Sequence, residues 1–183
     1  MNWPNRLSIL RILLVPVLVL CLYVDTVPAR VIALIVFVIA AATDWLDGRI
    51  ARKQNIVTNF GKFIDPVADK LLVLSTMITL TGLGELPAWA CVVVLFRELA
   101  VDGLRLVAME QGKVIAAGQL GKLKTTCQMV MLTVYLLGGF VALPPILREA
   151  LLLLAIALTI WSGVDYFVRN RAVLASGQGG GKA

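Results

Sequence analysis

Four aspartates stand at spacings that chemistry can use: Asp44, Asp47, Asp65 and Asp69. Asp47 follows Asp44 by three positions and Asp69 follows Asp65 by four, so on helices each pair shares a face, with Cβ atoms roughly 5–6 Å apart. All four lie inside or against segments apolar enough for a bilayer, where a carboxylate is costly and marks function. Brought face to face, the two pairs would gather four negative charges that cannot persist uncompensated at low dielectric. Divalent cations would compensate them. An all-oxygen donor set suits hard ions such as Mg²⁺, Mn²⁺ or Ca²⁺, and the chain has no histidine to favour zinc. Two cations held in this way could clamp a diphosphate and orient an attacking hydroxyl, which is most of what phosphoryl transfer asks of a protein.

Other residues could serve the same chemistry. A glycine inside a helix costs about 1 kcal/mol relative to alanine, so Gly48 reads as a place where a ligand approaches the backbone. Arg52 stands eight residues after Asp44, a little over two turns along the same face, where its guanidinium could meet a diphosphate. The plainer account of Arg52 is an interfacial arginine reaching to water. Further along, Arg97, Arg105, Lys122 and Lys124 stand against Glu98 and Asp102. Solvated basic residues at a membrane edge are one account of them. A pocket for an anionic acceptor is the other, because arginines two turns apart at membrane depth want a phosphate or carboxylate partner. Asn5 and Ser8 sit ahead of an apolar run, where short polar side chains cap helices.

The elements that must position these residues are membrane helices. The chain has 183 residues, 60% of them hydrophobic, and a mean hydropathy of +0.91, far from the composition of a soluble domain. Residues 1–24 read as a first membrane helix rather than a secretory signal, since five more apolar segments follow. A second helix is expected over about 29–52, carrying Asp44, Asp47 and Gly48, and a polar loop with Thr58 and Gly61 comes after it. A third that began only at Pro66 would reach about 24 Å, short of a hydrocarbon core of about 30 Å. A start near Asn59 with a kink at Pro66 is preferred. The remaining helices are expected over about 88–109, 118–141 and 146–168. The fold class is therefore an all-α polytopic membrane protein with six transmembrane helices, one domain over residues 1–171 and a flexible tail over 172–183.

With six spans, fifteen of the seventeen Lys and Arg residues fall on one side, and only Arg30 and Arg148 on the other. The positive-inside rule then places both termini and the aspartates in the cytoplasm. The net charge of +6 is thereby explained by topology, without nucleic acid. Cys21, Cys91 and Cys127 lie in apolar segments without metal-ligand spacing and imply no disulfide.

The pattern Asp-x2-Asp-Gly-x2-Ala-Arg-x8-Gly-x3-Asp-x3-Asp is matched in full by Asp44, Asp47, Gly48, Ala51, Arg52, Gly61, Asp65 and Asp69. It resembles the signature of the CDP-alcohol phosphatidyltransferases, integral membrane enzymes of phospholipid synthesis. The resemblance implies that the four aspartates hold two Mg²⁺ or Mn²⁺ ions, that Asp69 is also the general base, and that Gly48, Arg52 and Thr58 contact CDP-diacylglycerol. It places Asn5 and Ser8 over the nucleotide and implies a homodimer. The Arg97-Glu98 pair, Gly103-Leu104-Arg105 and the run Gly121-Lys122-x-Lys124-Thr125-x2-Gln128 look like the branch that uses glycerol 3-phosphate. Arg97, Arg105, Lys122 and Lys124 would then hold the acceptor phosphate. Inositol phosphate, serine or phosphatidylglycerol as acceptor are the alternatives within the family. A divalent-cation transporter is the alternative from another class, since intramembrane acids also mark ion paths. Against it, both acidic pairs sit at one membrane face.

Overall fold

In the computed structural model the backbone is described for residues 3–54, 59–113, 115 and 118–176, and side chains for 7–43, 67–68, 70–113, 115 and 118–173. The elements are α1 (Trp3–Tyr23), α2 (Val27–Gln54), α3 (Asn59–Gly82), α4 (Ala88–Glu110), α5 (Gln119–Leu137), α6 (Pro145–Arg169) and a short α7 (Arg171–Ser176). The third helix begins at Asn59, ahead of Pro66, so Asp65 and Asp69 both lie within it. Because α1 already runs from Trp3, Asn5 and Ser8 are inside the helix, and capping does not explain them. The fifth helix stops at Leu137, short of the expected 141. Two glycines follow its end and leave room for arginines: a Cβ on Gly138 would lie 3.4 Å from Arg148 Cδ, and one on Gly139 would lie 3.2 Å from Arg30 Cδ.

α1 packs against α2 and α3, while α4 and α5 pack on α6, and α5 also touches α2. Between them lies one apolar core that includes Leu18, Phe37, Met77, Leu132, Leu136 and Ala155. Small residues such as Ala33 and Ala40 sit fully buried in it, letting backbones approach as membrane helices require. α6 shows how this differs from a soluble bundle. Its inward stripe carries Thr159, Ser162, Gly163 and Tyr166, whereas Leu153, Ile160, Trp161, Val164 and Val168 point outward. A helix apolar on its outer face is one that a lipid surround accommodates. Among the described residues, α6 alone is long and apolar enough by itself to cross a membrane. The apolar stretches of α1, α2 and α3 are shorter, namely Leu7–Tyr23, Val27–Thr43 and Lys70–Gly82.

Two turns in left-handed backbone end helices. Gly84 (φ 75°) follows α3, and Gly112 (φ 70°) follows α4, where the Lys113 amide donates to the Ala108 carbonyl at 2.8 Å. Residues 172–176, expected to open a flexible tail, belong to α7. Val173 is buried with Val101, Leu104 and Tyr166, and Gln111 Nε2 donates to the Val173 carbonyl at 2.9 Å.

The charges segregate along the bundle. Arg30 pairs with Glu85, and Arg30 and Arg148 lie against Gly139 and Gly138 at the α5–α6 turn. The two arginines assigned to the minority side therefore meet at one end of the bundle.

Candidate active site

At the opposite end, α3, α4, α5 and α6 enclose a cavity of about 320 Å³, at the small end of the roughly 300–1,000 Å³ typical of ligand sites. Its walls hold four cations, Lys70, Arg97, Arg105 and Lys124, together with Glu98, Gln128, Ser162, Asp165 and Tyr166. Helical periodicity explains the set. Gly121, Lys124, Thr125 and Gln128 fall at i, i+3, i+4 and i+7 of α5, and Ser162, Asp165 and Tyr166 at i, i+3 and i+4 of α6.

Glu98 is the hub. It accepts from Lys124 Nζ at 2.5 Å and from Arg97 Nη1 at 3.1 Å, and all three side chains are at most 13% exposed. Such charges persist only when matched. Arg97 runs between two glycines: a Cβ on Gly163 would lie 3.1 Å from its Cγ, and one on Gly121 would lie 3.9 Å from Nη2. That close packing leaves Arg97 Nε buried without a partner. Arg105 is held by Tyr166, donating from Nε to the phenol oxygen at 3.1 Å, with its Cζ 5.5 Å from the ring centroid. Lys70 pairs with Asp102, tying α3 to α4. Gln128 Nε2 donates to Thr159 Oγ1 at 3.1 Å, fixing the amide at the cavity wall.

Of the residues expected to hold an acceptor phosphate, Arg97, Arg105 and Lys124 come together here. Lys122 does not: it is exposed and off the cavity wall. Two residues apart on a helix are turned by about 200°, so Lys122 and Lys124 cannot share a face. Sequence reasoning passed over Lys70, Ser162, Asp165 and Tyr166 as site residues, and it noted Glu98 and Gln128 without assigning them a role. The i, i+4 register of Lys124 with Gln128 was a readable signal. That of Ser162 with Tyr166 was not, because neither side chain is charged and the one acid beside them, Asp165, pairs with Arg169 on the same helix.

Asp44, Asp47, Gly48 and Arg52 lie on the last turns of α2, and Asp65 and Asp69 on the first turns of α3. Their side chains, that of Asn5, and Thr58 as a whole lie outside the described residues. The backbone nonetheless relates them to the cavity, since Asp69 immediately precedes Lys70 on α3, and consecutive Cα atoms are about 3.8 Å apart. Arg11 of α1 is buried to 1% exposure. The helices that α1 packs on, α2 and α3, carry no acidic residues other than those four aspartates.

The profile of the CDP-alcohol phosphatidyltransferase family matches residues 1–161, and the chain belongs to that family. Among curated relatives, the CDP-diacylglycerol–glycerol-3-phosphate 3-phosphatidyltransferase of Bacillus subtilis is 40% identical, covering 92% of this chain and 95% of its own. The enzyme of the same name from Rickettsia typhi is 41% identical, covering 91% and 95%. A probable phosphatidylglycerophosphate synthase of Mycobacterium tuberculosis is 42% identical, covering 92% and 81%.

Proposed function

We propose that the chain transfers the phosphatidyl group of CDP-diacylglycerol to glycerol 3-phosphate, giving phosphatidylglycerophosphate and CMP. The observation that carries this reading is the cationic cavity whose α3 wall begins at Lys70, next in the chain to Asp69. It is a compact cationic site whose wall begins one residue after the last aspartate of the signature, and it suits a small phosphorylated alcohol. The names of relatives that match along nearly their whole length support the same reaction.

In this reading Arg97, Arg105 and Lys124 receive the acceptor phosphate, and Asp69 takes the proton from its free primary hydroxyl. That oxygen bonds to the lipid-bearing phosphorus as the bond from phosphorus to the CMP oxygen breaks in line, and CMP leaves with the electron pair. Gly48, Arg52 and Thr58, with Asn5 and Ser8 one turn apart on α1, hold the nucleotide and diphosphate. Asp44, Asp47, Asp65 and Asp69 would hold two divalent cations, Mg²⁺ or Mn²⁺, through an all-oxygen donor set. Bound there, such ions would supply charge neutralisation at the diphosphate. Six membrane spans, α1 to α6, put both termini and the site on the cytoplasmic side, with α7 lying beyond the last span. The outward apolar faces supply lipid contact and the surface for a homodimer.

The test is CMP release by purified protein from CDP-diacylglycerol and Mg²⁺ with glycerol 3-phosphate, inositol phosphate, serine or phosphatidylglycerol. Release with glycerol 3-phosphate alone is expected. Release only with another acceptor would move the head group, and metal flux into liposomes without CMP would move the class.

Three substitutions probe the acceptor half. Tyr166→Phe keeps the ring under Arg105 but removes the acceptor for Nε. A hydrogen bond to a charged group contributes about 1.5 kcal/mol or more, so the KM for glycerol 3-phosphate should rise about tenfold with kcat little changed. An unchanged KM would remove Tyr166 from the site. Gly163→Ala forces a methyl to 3.1 Å from Arg97 Cγ and should raise the same KM several-fold. Gly121→Ala, at 3.9 Å, meets only ordinary contact and should not.

A further inference from the structure

The cavity's charges do not cancel, and the remainder is specific. Lys70 is neutralised by Asp102, and Asp165 by Arg169 at 2.7 Å. Among the described residues of the cavity wall, Arg97, Arg105, Lys124 and Glu98 are left. Three cations less one carboxylate leave two positive charges, the complement of a phosphomonoester dianion. The carboxylate that sets this balance also touches two of the three cations, Lys124 and Arg97.

We propose that Glu98 is a specificity residue of the acceptor half: it holds Lys124 and Arg97 in place and trims the local charge to that of a phosphomonoester dianion. This deepens the reading above and rests on it. Before the acceptor enters, Glu98 stands in for the phosphate, keeping two long side chains ordered that would otherwise lose rotamer freedom on binding. Once the acceptor is seated, Glu98 stays as the countercharge, so that the site discriminates by the glycerol moiety as well as by charge. Without it the cavity would carry three uncompensated cations and bind bare anions indiscriminately. Gln128 and Ser162, uncharged on the same wall, are positioned to meet hydroxyls rather than phosphate.

The test uses sulfate, a dianion with no glycerol, as competitive inhibitor against glycerol 3-phosphate in the full-length enzyme. Glu98→Gln is expected to tighten sulfate inhibition on the order of tenfold, by removing one nearby negative charge at low effective dielectric. Glu98→Asp, which keeps the charge, is expected to stay within about threefold of wild type on that scale. Damage to folding alone would lower kcat and the melting temperature but would not tighten an anion. Because breaking a buried pair from one side can unfold a protein, the same comparison is made in a Lys124→Met background. There Glu98→Gln removes the second partner and should again tighten sulfate. Sulfate inhibition unchanged or weakened by Glu98→Gln in the folded single variant, or in the Lys124→Met background, overturns the proposal. Wild-type CMP release with glycerol 3-phosphate tests the underlying acceptor reading separately: were another acceptor used, sulfate competition against that acceptor would still decide the role of Glu98.

Discussion

Asp69→Asn is expected to lower CMP release by about 10³-fold or more while the protein stays folded. The amide keeps the shape of the carboxylate but loses its charge and its capacity to take a proton. Positioned general bases contribute typically 10²–10⁴-fold, and in the proposed site the same oxygens are metal ligands, so both functions go together. The substitution falls on the first turns of α3, one position before Lys70, which forms its own pair with Asp102. The acceptor cavity should therefore survive. The measurement is kcat for CMP release at saturating Mg²⁺, beside a melting curve in detergent. A variant retaining a tenth of wild-type kcat would take Asp69 out of the role of base. A variant whose melting temperature collapsed would show instead that the four aspartates are a structural network.

Lys124→Met should produce the largest effect on acceptor binding. Lys124 is among the most buried charges in the described structure, 6% exposed along its side chain, and its ammonium sits 2.5 Å from Glu98. Removing it takes away a charge-assisted contact to phosphate of about 2–3 kcal/mol, or roughly 30- to 150-fold in KM for glycerol 3-phosphate. The KM for CDP-diacylglycerol should move much less, because the nucleotide contacts are assigned to α1, α2 and the loop after it. Glu98 would keep only Arg97, so stability should fall as well, by about 3 kcal/mol for a half-broken buried pair. Steady-state kinetics with each substrate varied in turn, together with thermal melts, read both effects. An equal rise in both KM values would place Lys124 outside the acceptor half.

The two predictions differ in what revealed their residues. Asp69 stands out in the linear chain because it closes a pattern of local spacing, carboxylates three and four apart on a helix with a glycine and an arginine at fixed offsets, all in segments too apolar to carry charge without cause; its role as base is what the family resemblance implies. Helix existence was legible for the same reason, and the start of α3 at Asn59 followed from the length a membrane span demands. Lys124 was legible as a candidate for the acceptor phosphate, but so was Lys122, and nothing in the chain separated the two. Lys122 and Lys124 look equivalent in sequence, and only the rotation of α5 about its axis buries one against Glu98 and leaves the other in the open. Likewise Arg97 and Arg105 lie on one helix, yet their orientation depends on residues more than 60 positions away, Gly163 and Tyr166 of α6.

What the sequence by itself determined was thus the signature that marks the family and the helices that carry it, because fixed spacing and total apolarity are properties of the chain alone. What the tertiary structure decided was which charges meet: the pairing of Lys70 with Asp102, Glu98 as the shared partner of Lys124 and Arg97, the early end of α5 where Gly138 and Gly139 admit two arginines, and the docking of α7 on α4. A buried charge is stable only beside its complement, and which complement lies beside it is set by how separate helices rotate and pack, information that no local window of residues contains.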